Sequence, residues 1–207
     1  IQADFHKGDS ISKYVAERGI PLPVFSAESW IISDDSAQQL KAKIERIGTP
    51  LKDWDVSIYR GVLTGYNEAF IISGAKKDEL IAADPRSAEI IKPILRGRDI
   101  KRYKAEFADQ WLIATLPALK INIDDYPAVK AHLMTYMPRI KQTGESYIDQ
   151  YGKKQKTRKE TGHEWFETQD PIAYYEEFEK EKVVWASVGI TEYCVVPAGY
   201  YLLDTNY

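Results

Sequence analysis

The sequence contains a single cysteine, Cys194, among its 207 residues. A disulfide framework and a metal site built from several cysteines are therefore both excluded. Cys194 lies among Tyr193, Val195 and Val196. We expect it to be a small buried hydrophobic side chain rather than a nucleophile.

Long apolar runs are also lacking, and no segment approaches the roughly 20 residues that a membrane helix needs. The N-terminus does not show the basic and then apolar order of a signal peptide. We therefore expect a cytoplasmic protein with no membrane partner. With 44% hydrophobic residues, the chain can bury the core of one domain, or of a domain with a small appendage.

Sequence motifs of catalysis are missing as well: there is no P-loop, no Gly-x-Ser-x-Gly elbow and no Rossmann fingerprint. A methyltransferase acting on base amino groups needs a glycine-rich turn for its methyl donor and an Asn/Asp-Pro-Pro-aromatic loop. The dipeptides Asp84-Pro85 and Asp170-Pro171 lack the second proline and are typical of turns or helix starts. We expect no catalysis from this chain.

Two groups of polar residues are candidates for metal sites. Asp84, Glu89 and Lys92 faintly resemble a Mg²⁺-dependent nuclease, but the spacing is wrong for its Glu-x-Lys element. Acids at a helix start beside a surface lysine are the alternative. His163-Glu164 lacks the second histidine of a zinc helix. No metal is therefore expected.

Positive charge is unevenly distributed in a chain whose formal net charge is -3. A net negative charge argues mildly against nucleic-acid binding, because duplex DNA is held chiefly by phosphate neutralisation. However, two basic runs cover 92–104 and 153–159, and acids gather over 176–181. The molecule can therefore be basic on one face. Ordinary solvated surface is the alternative explanation of both runs.

Periodicity and turn residues indicate a mixture of helices and strands, with Gly48 and Pro50 closing the first long helix. The predicted helices cover 33–47, 77–83, a segment starting at Ser87, 127–137 and 174–180. The predicted strands cover 30–32, 56–58, 70–72, 111–116, 183–188, 193–196 and 200–203. The last three strands suggest an antiparallel meander. The predicted fold class is α+β, with mainly antiparallel strands and a few helices.

Residues 1–25 are polar and turn-rich, and we interpret them as a linker or the trailing edge of a preceding domain. Residues 26–207 are then one domain, which we expect to continue beyond Tyr207. Residues 141–168 are basic and rich in Gly and Thr. They are predicted to form an exposed mobile loop that orders on DNA. A disordered surface loop that contacts nothing is the alternative.

Several sequence stretches, in this order along the chain, resemble the TaqI-like specificity domain. This domain is the target-recognition domain of bacterial adenine-specific DNA methyltransferases, both of type II and of fused restriction-modification enzymes. The stretches are 59–72 (YRGVLTGYNEAFII), 84–103 (DPRSAEIIKPILRGRDIKRY), 174–185 (YYEEFEKEKVVW) and 199–204 (GYYLLD). Together they extend over most of the sequence.

The resemblance implies that this chain reads double-stranded DNA in a sequence-specific manner and belongs to a parent chain that methylates adenine, in some cases with an attached endonuclease. It also implies that the parent's methyltransferase domain is a partner, with S-adenosylmethionine as its cofactor. Mg²⁺ is needed only for a nuclease, and no cofactor is expected in this chain. A protein-docking scaffold between methyltransferase and nuclease parts is the alternative.

Basic and aromatic residues are the candidates for DNA contact, because guanidinium forks pair with phosphate or a guanine edge, and aromatics touch bases or sugars. One of the arginines near Asp99 could instead form a structural ion pair. Gly61 and Gly65 are expected to provide a tight turn or close backbone approach. The candidate DNA contacts are Arg96, Arg98, Lys101, Arg102, Tyr147, Tyr151, Lys153, Lys154, Lys156, Arg158 and Lys159.

Overall fold

The computed structural model describes residues 10–19, 35–185 and 192–203. The strand predicted over 30–32 lies outside them. The chain divides into two compact units, Ile1–Ile58 and Tyr59–Tyr207. The fold class is α+β with mainly antiparallel strands and a few helices, as the sequence predicts. Of the helices that the structure describes, none has the length and apolar character needed to cross a bilayer.

The first unit contains two α-helices and a short 3-10 turn, Leu51–Asp53, within its described residues. α1 (Ile11–Arg18) starts at Ser10, whose side chain accepts a backbone hydrogen bond, and it lies within the stretch interpreted as a linker. α2 (Asp35–Ile47) confirms the first predicted helix, and the chain leaves it at Gly48. The strand prediction over 56–58 is wrong. Both apolar side chains there are exposed, and no strand lies beside them in the described part of this unit.

The second unit carries most of the regular structure. Its helices are α3 (Asn67–Phe70), α4 (Gly74–Ala83) and α5 (Pro127–Met134). Its strands are β1 (Ile71–Ser73), β2 (Ile91–Leu95), β3 (Ile100–Lys101), β4 (Lys104–Ala105), β5 (Gln110–Ile113), β6 (Ser146–Ile148), β7 (Lys154–Lys156), β8 (Lys182–Trp185), β9 (Tyr193–Val196) and β10 (Tyr201–Leu202). Short 3-10 turns lie at Pro85–Glu89, Gly97–Asp99, Pro117–Leu119, Ile123–Asp125 and Tyr175–Glu179.

A four-stranded sheet organises this unit, in the order β1-β5-β2-β10. β1 and β2 pair antiparallel with β5, whereas β10 runs parallel to β2. β8 and β9 form the predicted antiparallel pair, but the predicted meander is wrong for its last strand. Both side chains of β10 are buried. Pairing with β2 in the four-stranded sheet buries these side chains. As a third strand beside β8 and β9, β10 would leave them more exposed.

Capping side chains explain why several elements begin and end where they do. The Ser73 hydroxyl accepts a hydrogen bond from the Lys76 amide, so α4 starts at Gly74, earlier than predicted. Asp84 ends α4, and its carboxylate accepts from the Arg86 amide. The Asp84-Pro85 dipeptide is therefore a turn start, as predicted. The helix predicted to start at Ser87 is wrong, because Ser87 lies inside the 3-10 turn Pro85–Glu89 and β2 begins at Ile91.

Two further helix predictions were too long. The segment predicted over 127–137 leaves the α-helix after Met134, because Thr135 and Tyr136 donate their amides to carbonyls three residues back. The segment predicted over 174–180 is a 3-10 turn. In both places the apolar spacing located the element correctly, but the tighter hydrogen bonding could not be read from that spacing.

The core of the second unit is built by the sheet together with α4 and α5, which contact each other, while α4 also contacts β1 and β5. Phe70, Ile94, Leu112 and Leu133 are fully buried there. Cys194, in β9, is also buried, which confirms the prediction for it. The core therefore fixes the backbone from which the more polar elements project.

The two glycines singled out in the sequence both have a backbone reason. A Cβ atom on Gly61 would lie 2.5 Å from the Leu202 carbonyl oxygen. The two backbone segments therefore approach too closely for any side chain at position 61. Gly65 has a φ of 74°, in the left-handed region that favours glycine. Close approach and turn conformation are therefore confirmed.

Candidate nucleic-acid interface

Arg158, within the second basic run, is buried and holds several segments together. Arg158 is only 4% exposed, and its guanidinium lies 4.9 Å from the Phe70 ring centre. Burial lowers the pKa of Arg158 to about 10, so the group stays protonated near neutral pH. Its hydrogen bonds of 2.7 to 2.8 Å end on the carbonyls of Thr64, Ile140, Trp165 and Glu167.

This position corrects two predictions. Arg158 was a candidate DNA contact, but its guanidinium is turned inward and its hydrogen bonds are taken up by backbone carbonyls. The segment 141–168 was predicted to be an exposed mobile loop, but it contains the β-hairpin formed by β6 and β7. Gln142, Phe166 and Thr168 in this segment are also buried.

The hairpin formed by β6 and β7 has a well-defined turn. One oxygen of the Asp149 carboxylate accepts hydrogen bonds from the amides of Tyr151 and Lys153, each at 2.9 Å. The backbone hydrogen bond from Lys153 is the main reason why the pKa of Asp149 lies below its ordinary value. Gly152 supplies a left-handed residue, with a φ of 76°. The turn is therefore held in one shape by its own side chain.

The inner face of the hairpin rests on the rest of the unit. Tyr147 and Gln155 are paired across the strands, and both are half-buried. Arg139 donates to the Gln155 side chain at 3.4 Å and to the backbone carbonyl of Lys156 at 2.6 Å. The Arg139 guanidinium also lies 5.2 Å from the ring centre of Tyr66. Tyr147 therefore faces away from the solvent-facing lysines.

The outer face and the tip of the hairpin are exposed and basic. Because paired residues share a face, Ile148 and Lys154 lie on one side together with Ser146 and Lys156. Tyr151, at the tip, is 78% exposed. Lysine side chains that form no ion pair within the described residues surround it or follow it, namely Lys153, Lys154, Lys156 and Lys159.

The sequence interpretation missed the two residues that support this hairpin. Arg139 gives no local signal, because its contacts are made with residues distant in the chain. Asp149 could have been recognised, since an aspartate three residues before a glycine is typical of a turn in which the side chain caps backbone amides. That signal predicts a hairpin where composition alone predicted a loop.

The first basic region is organised by a side-chain clamp. Arg96 and Asp99 form a bidentate pair, with Nε and Nη2 of Arg96 2.8 and 2.9 Å from the two carboxylate oxygens. Burial acts to raise the pKa of Asp99, but the hydrogen bonds from Arg96 outweigh it and hold that pKa below its ordinary value. Arg96 is therefore the arginine that forms the structural ion pair. Its guanidinium donates to Asp99, which corrects its prediction as a DNA contact. Arg98, between the two clamped residues, is exposed.

Beyond the clamp, β3 and β4 form a short hairpin with Arg102 and Tyr103 at its turn. Tyr103 is 63% exposed and has a φ of 69°, a conformation that is unusual for an aromatic residue. The Arg102 guanidinium lies 5.3 Å from its ring centre, and a hydrogen bond from Arg102 is the main reason why the pKa of Tyr103 is lowered. Lys101 and Arg102 thus lie on a different element from the lysines of β6 and β7.

A third surface feature is apolar. The paired positions of β8 and β9 put Val183, Trp185, Tyr193 and Val195 on one face, and all four are exposed. Tyr103 contacts this face edge-on, with its ring centre 5.4 Å from that of Tyr193. Contiguous exposed apolar side chains of this kind are typical of protein-interaction surfaces.

The polar residues that are candidates for metal ligands have structural roles. Asp84 accepts hydrogen bonds from the Arg86 amide and the Ser87 hydroxyl, and Glu89 accepts one from the Tyr126 hydroxyl at 2.8 Å. Asp170, in the other aspartate-proline dipeptide, pairs with Arg60. Within the described ranges, no three His, Cys, Asp or Glu side chains are grouped so that they could hold a metal ion.

Neither the models of known protein families nor the curated proteins give a match to this chain.

Proposed function

We propose that this chain binds double-stranded DNA as the target-recognition domain of a restriction-modification enzyme. The observation that supports the proposal best is the β6–β7 hairpin, with unpaired lysines on its outer face and Tyr151 at its tip. The major groove is wide enough to admit a two-stranded ribbon of this kind. Lys153, Lys154 and Lys156 then neutralise phosphates, and Tyr151 reaches the bases or sugars.

The rigidity of the hairpin base also favours this function. A ribbon that reads base edges must be held in a fixed orientation, because recognition depends on hydrogen-bond geometry. The inward-pointing Arg158 and Arg139 hold the hairpin from below, so the outer lysines do not have to be ordered by the ligand. The exposed Arg98 and Arg102 and the half-buried Lys101 contribute a second set of contacts in this proposal.

The parent activity rests on the sequence resemblance. In this proposal a bacterial parent chain methylates adenine with S-adenosylmethionine bound by its methyltransferase domain, which is a partner of this chain. An attached type II endonuclease would require Mg²⁺. This chain itself performs no step of either reaction, and none of its residues is assigned to the methyl donor.

The test is a substitution of the hairpin lysines. Changing Lys153, Lys154 and Lys156 to Gln should weaken binding to duplex DNA of every sequence and make the salt dependence shallower, by roughly 0.9 in log–log slope for each lost phosphate contact. Affinity is measured as a function of salt concentration, and thermal unfolding checks that the variant folds.

The matched control makes the same change of net charge elsewhere. Lys76, Lys130 and Lys180 are each engaged by a neighbouring carboxylate, and changing these three to Gln should alter DNA binding far less. Equal losses in both triple variants would show that only net charge matters. A wild-type chain without salt-dependent DNA binding would contradict the proposed function itself.

A second candidate function is protein docking, and the exposed apolar face of β8 and β9 favours it. A docking surface of this composition loses little affinity with added salt, unlike a DNA interface. Changing Val183 and Val195 to Glu should abolish a complex with the methyltransferase domain if this face is the docking site, and should leave DNA binding by the hairpin in place. Loss of DNA binding alone would instead assign the face to DNA.

A further inference from the structure

A depression of about 440 Å³ opens on the second unit, and none of the residues that line it belongs to the β6–β7 hairpin. Its apolar part is formed by Leu203, which is buried, and Ile71, which is half-buried. Its polar part is formed by Asn67, Glu68, Arg98 and Gln110, and Arg96 of the clamp also lines it. A flat ring can therefore lie against the apolar part with its polar edge towards these side chains.

Much of the hydrogen-bonding capacity around the depression is unused by the protein. Arg98 and Glu68 form no hydrogen bond or ion pair within the described residues, and they do not pair with each other. The Asn67 side-chain oxygen accepts from the Thr64 hydroxyl at 2.6 Å, which leaves its amide hydrogens available. Gln110 donates to the Asp109 carbonyl at 3.2 Å, which leaves its side-chain oxygen available.

The backbone that carries these groups is fixed. Arg98 follows Gly97 inside the turn that the Arg96–Asp99 pair closes, and Gly97 and Asp99 are both buried. Asn67 and Glu68 precede two residues of α3 that are fully buried. A guanidinium and a carboxylate are thus held at one opening without neutralising each other.

We propose that this depression binds a single unpaired guanine base. Guanine presents two acceptors, O6 and N7, to which a guanidinium fork such as that of Arg98 can donate. Its N1–H and its exocyclic amino group can donate hydrogen bonds to the Glu68 carboxylate. Adenine offers an amino group where guanine has O6, so the same fork would meet a donor.

The base must be unpaired, because in a G·C pair N1 and the amino group are engaged with cytosine. Extrusion of a base from the duplex is a known way to present those edges to a protein pocket. The depression is also linked to the hairpin, since Thr64 contacts Asn67 through its hydroxyl and Arg158 through its carbonyl. The choice of a nucleobase among flat polar rings rests on the proposed DNA-binding function.

The experiment compares duplexes of equal length and charge that carry one bulged base. The chain should bind a duplex with a bulged dG about tenfold or more tightly than one with a bulged dA, by the discrimination that a bidentate contact provides. A bulged deoxyinosine, which lacks the exocyclic amino group, should fall between them. A fully paired duplex gives the reference affinity.

Two variants assign the contacts. Arg98→Ala should remove the preference for dG over dA, and Glu68→Gln should remove the preference for dG over deoxyinosine. Arg86→Ala and Glu79→Gln make the same charge changes outside the depression, and both should keep the preferences. Thermal unfolding of each variant separates loss of the contact from loss of the fold.

The outcomes separate this inference from the proposed function. Equal affinity for bulged dG and bulged dA, or a preference that survives Arg98→Ala, overturns the guanine site even when paired DNA still binds. A chain that binds no DNA overturns the proposed function. In that case the guanine site is tested by itself, by titrating the chain with dGMP and dAMP and following the titration by NMR. The inference is overturned if dGMP shows no saturable binding that depends on Arg98.

Discussion

At the scale of single residues, burial decides what a charged side chain does. Arg158 and Lys159 are neighbours in one basic run, yet the first is buried against four carbonyls and the second is exposed. A planar guanidinium can donate to several carbonyls at once, whereas an ammonium is a compact, strongly hydrated charge. Arginine is therefore the cation of this run that the fold can bury.

Replacing Arg158 should destabilise the second unit strongly. Arg158→Met removes a donor from four backbone carbonyls, one of which, that of Glu167, keeps a second donor in Gln142. We expect the free energy of unfolding to fall by at least about 3 kcal/mol. Arg158→Lys keeps the charge but not the fork, and it should cause a smaller loss. Chemical denaturation measures both, with Lys159→Met as the exposed control. Equal stability of the two Met variants would contradict the structural role of Arg158.

The pKa of His132 should make stability depend on pH. Burial, the largest cause, lowers this pKa below its ordinary value, and Nε2 lies 3.1 Å from the Ala69 carbonyl oxygen. As pH falls below about 6.5, the unfolded chain takes up a proton that the folded chain does not. The free energy of unfolding should therefore decrease as the pH falls below about 6.5. Above that pH, the contribution of neutral His132 to stability should be complete.

Chemical denaturation at about pH 7.5 and about pH 5.5 measures this effect. His132→Gln keeps a side-chain donor for the Ala69 carbonyl but cannot titrate, and it should flatten the dependence. His163→Gln is the control, because His163 is half-buried and its ring forms no hydrogen bond with the part of the chain that the structure describes. A pH dependence that is the same in all three proteins would rule out His132 as its source.

At the scale of elements, the β6–β7 hairpin shows that a turn can outweigh composition. Two of the three residues of β7 are lysine, which has low strand propensity, and the residues around both strands are polar. The hairpin forms because Asp149 and Gly152 shape the turn and because Arg139 and Arg158 anchor the base. The ribbon is therefore determined at its two ends more than by the residues of its strands.

Asp149→Ala should weaken DNA binding although it removes a negative charge. Simple electrostatics predicts the opposite sign, since the hairpin becomes more positive. Loss of the carboxylate frees the amides of Tyr151 and Lys153, and their hydrogen exchange should become faster. Asp149→Asn also removes the charge but keeps an acceptor oxygen, and it should retain tight binding. Stronger binding by the Ala variant would show that the turn shape does not matter.

At the scale of the whole second unit, residues near its start contact the last residues that the structure describes. The Val62 amide donates to the Leu202 carbonyl at 2.6 Å, and the Leu203 amide donates to the Leu95 carbonyl at 3.0 Å. Val62 also pairs with Leu203 in a parallel bridge beside the sheet. Residues from the start, middle and end of this unit thus share one sheet edge.

Gly61→Ala should loosen this closure. The added Cβ would lie 2.5 Å from a backbone oxygen, so one of the two chains must move, and we expect a loss of about 1–3 kcal/mol in stability. Gly162→Ala is the control, because Gly162 has a φ of 78° but no atom near its Cβ position. Its cost reports backbone strain alone. A Gly61→Ala variant as stable as the wild-type chain would contradict the close approach.

The sequence by itself determined what local signals can specify. Apolar spacing and capping residues located α2, α4 and α5, and alternation located β8 and β9, because a helix or hairpin is set by residues near one another. The composition around Cys194 predicted its burial for the same reason. The candidate DNA residues were also found locally, as runs of like charge.

Only the tertiary structure decided which of these residues face solvent. The pairing of β10 with β2, the inward turn of Arg158 and the choice of Arg96 over Arg98 for Asp99 all depend on contacts between distant segments or on burial. Local propensity carries no information on either, since the same Arg or strand residue is favourable in several settings. Burial of the whole core selects among those settings, because an apolar strand left exposed or a cation left unpaired inside costs more than local preference supplies.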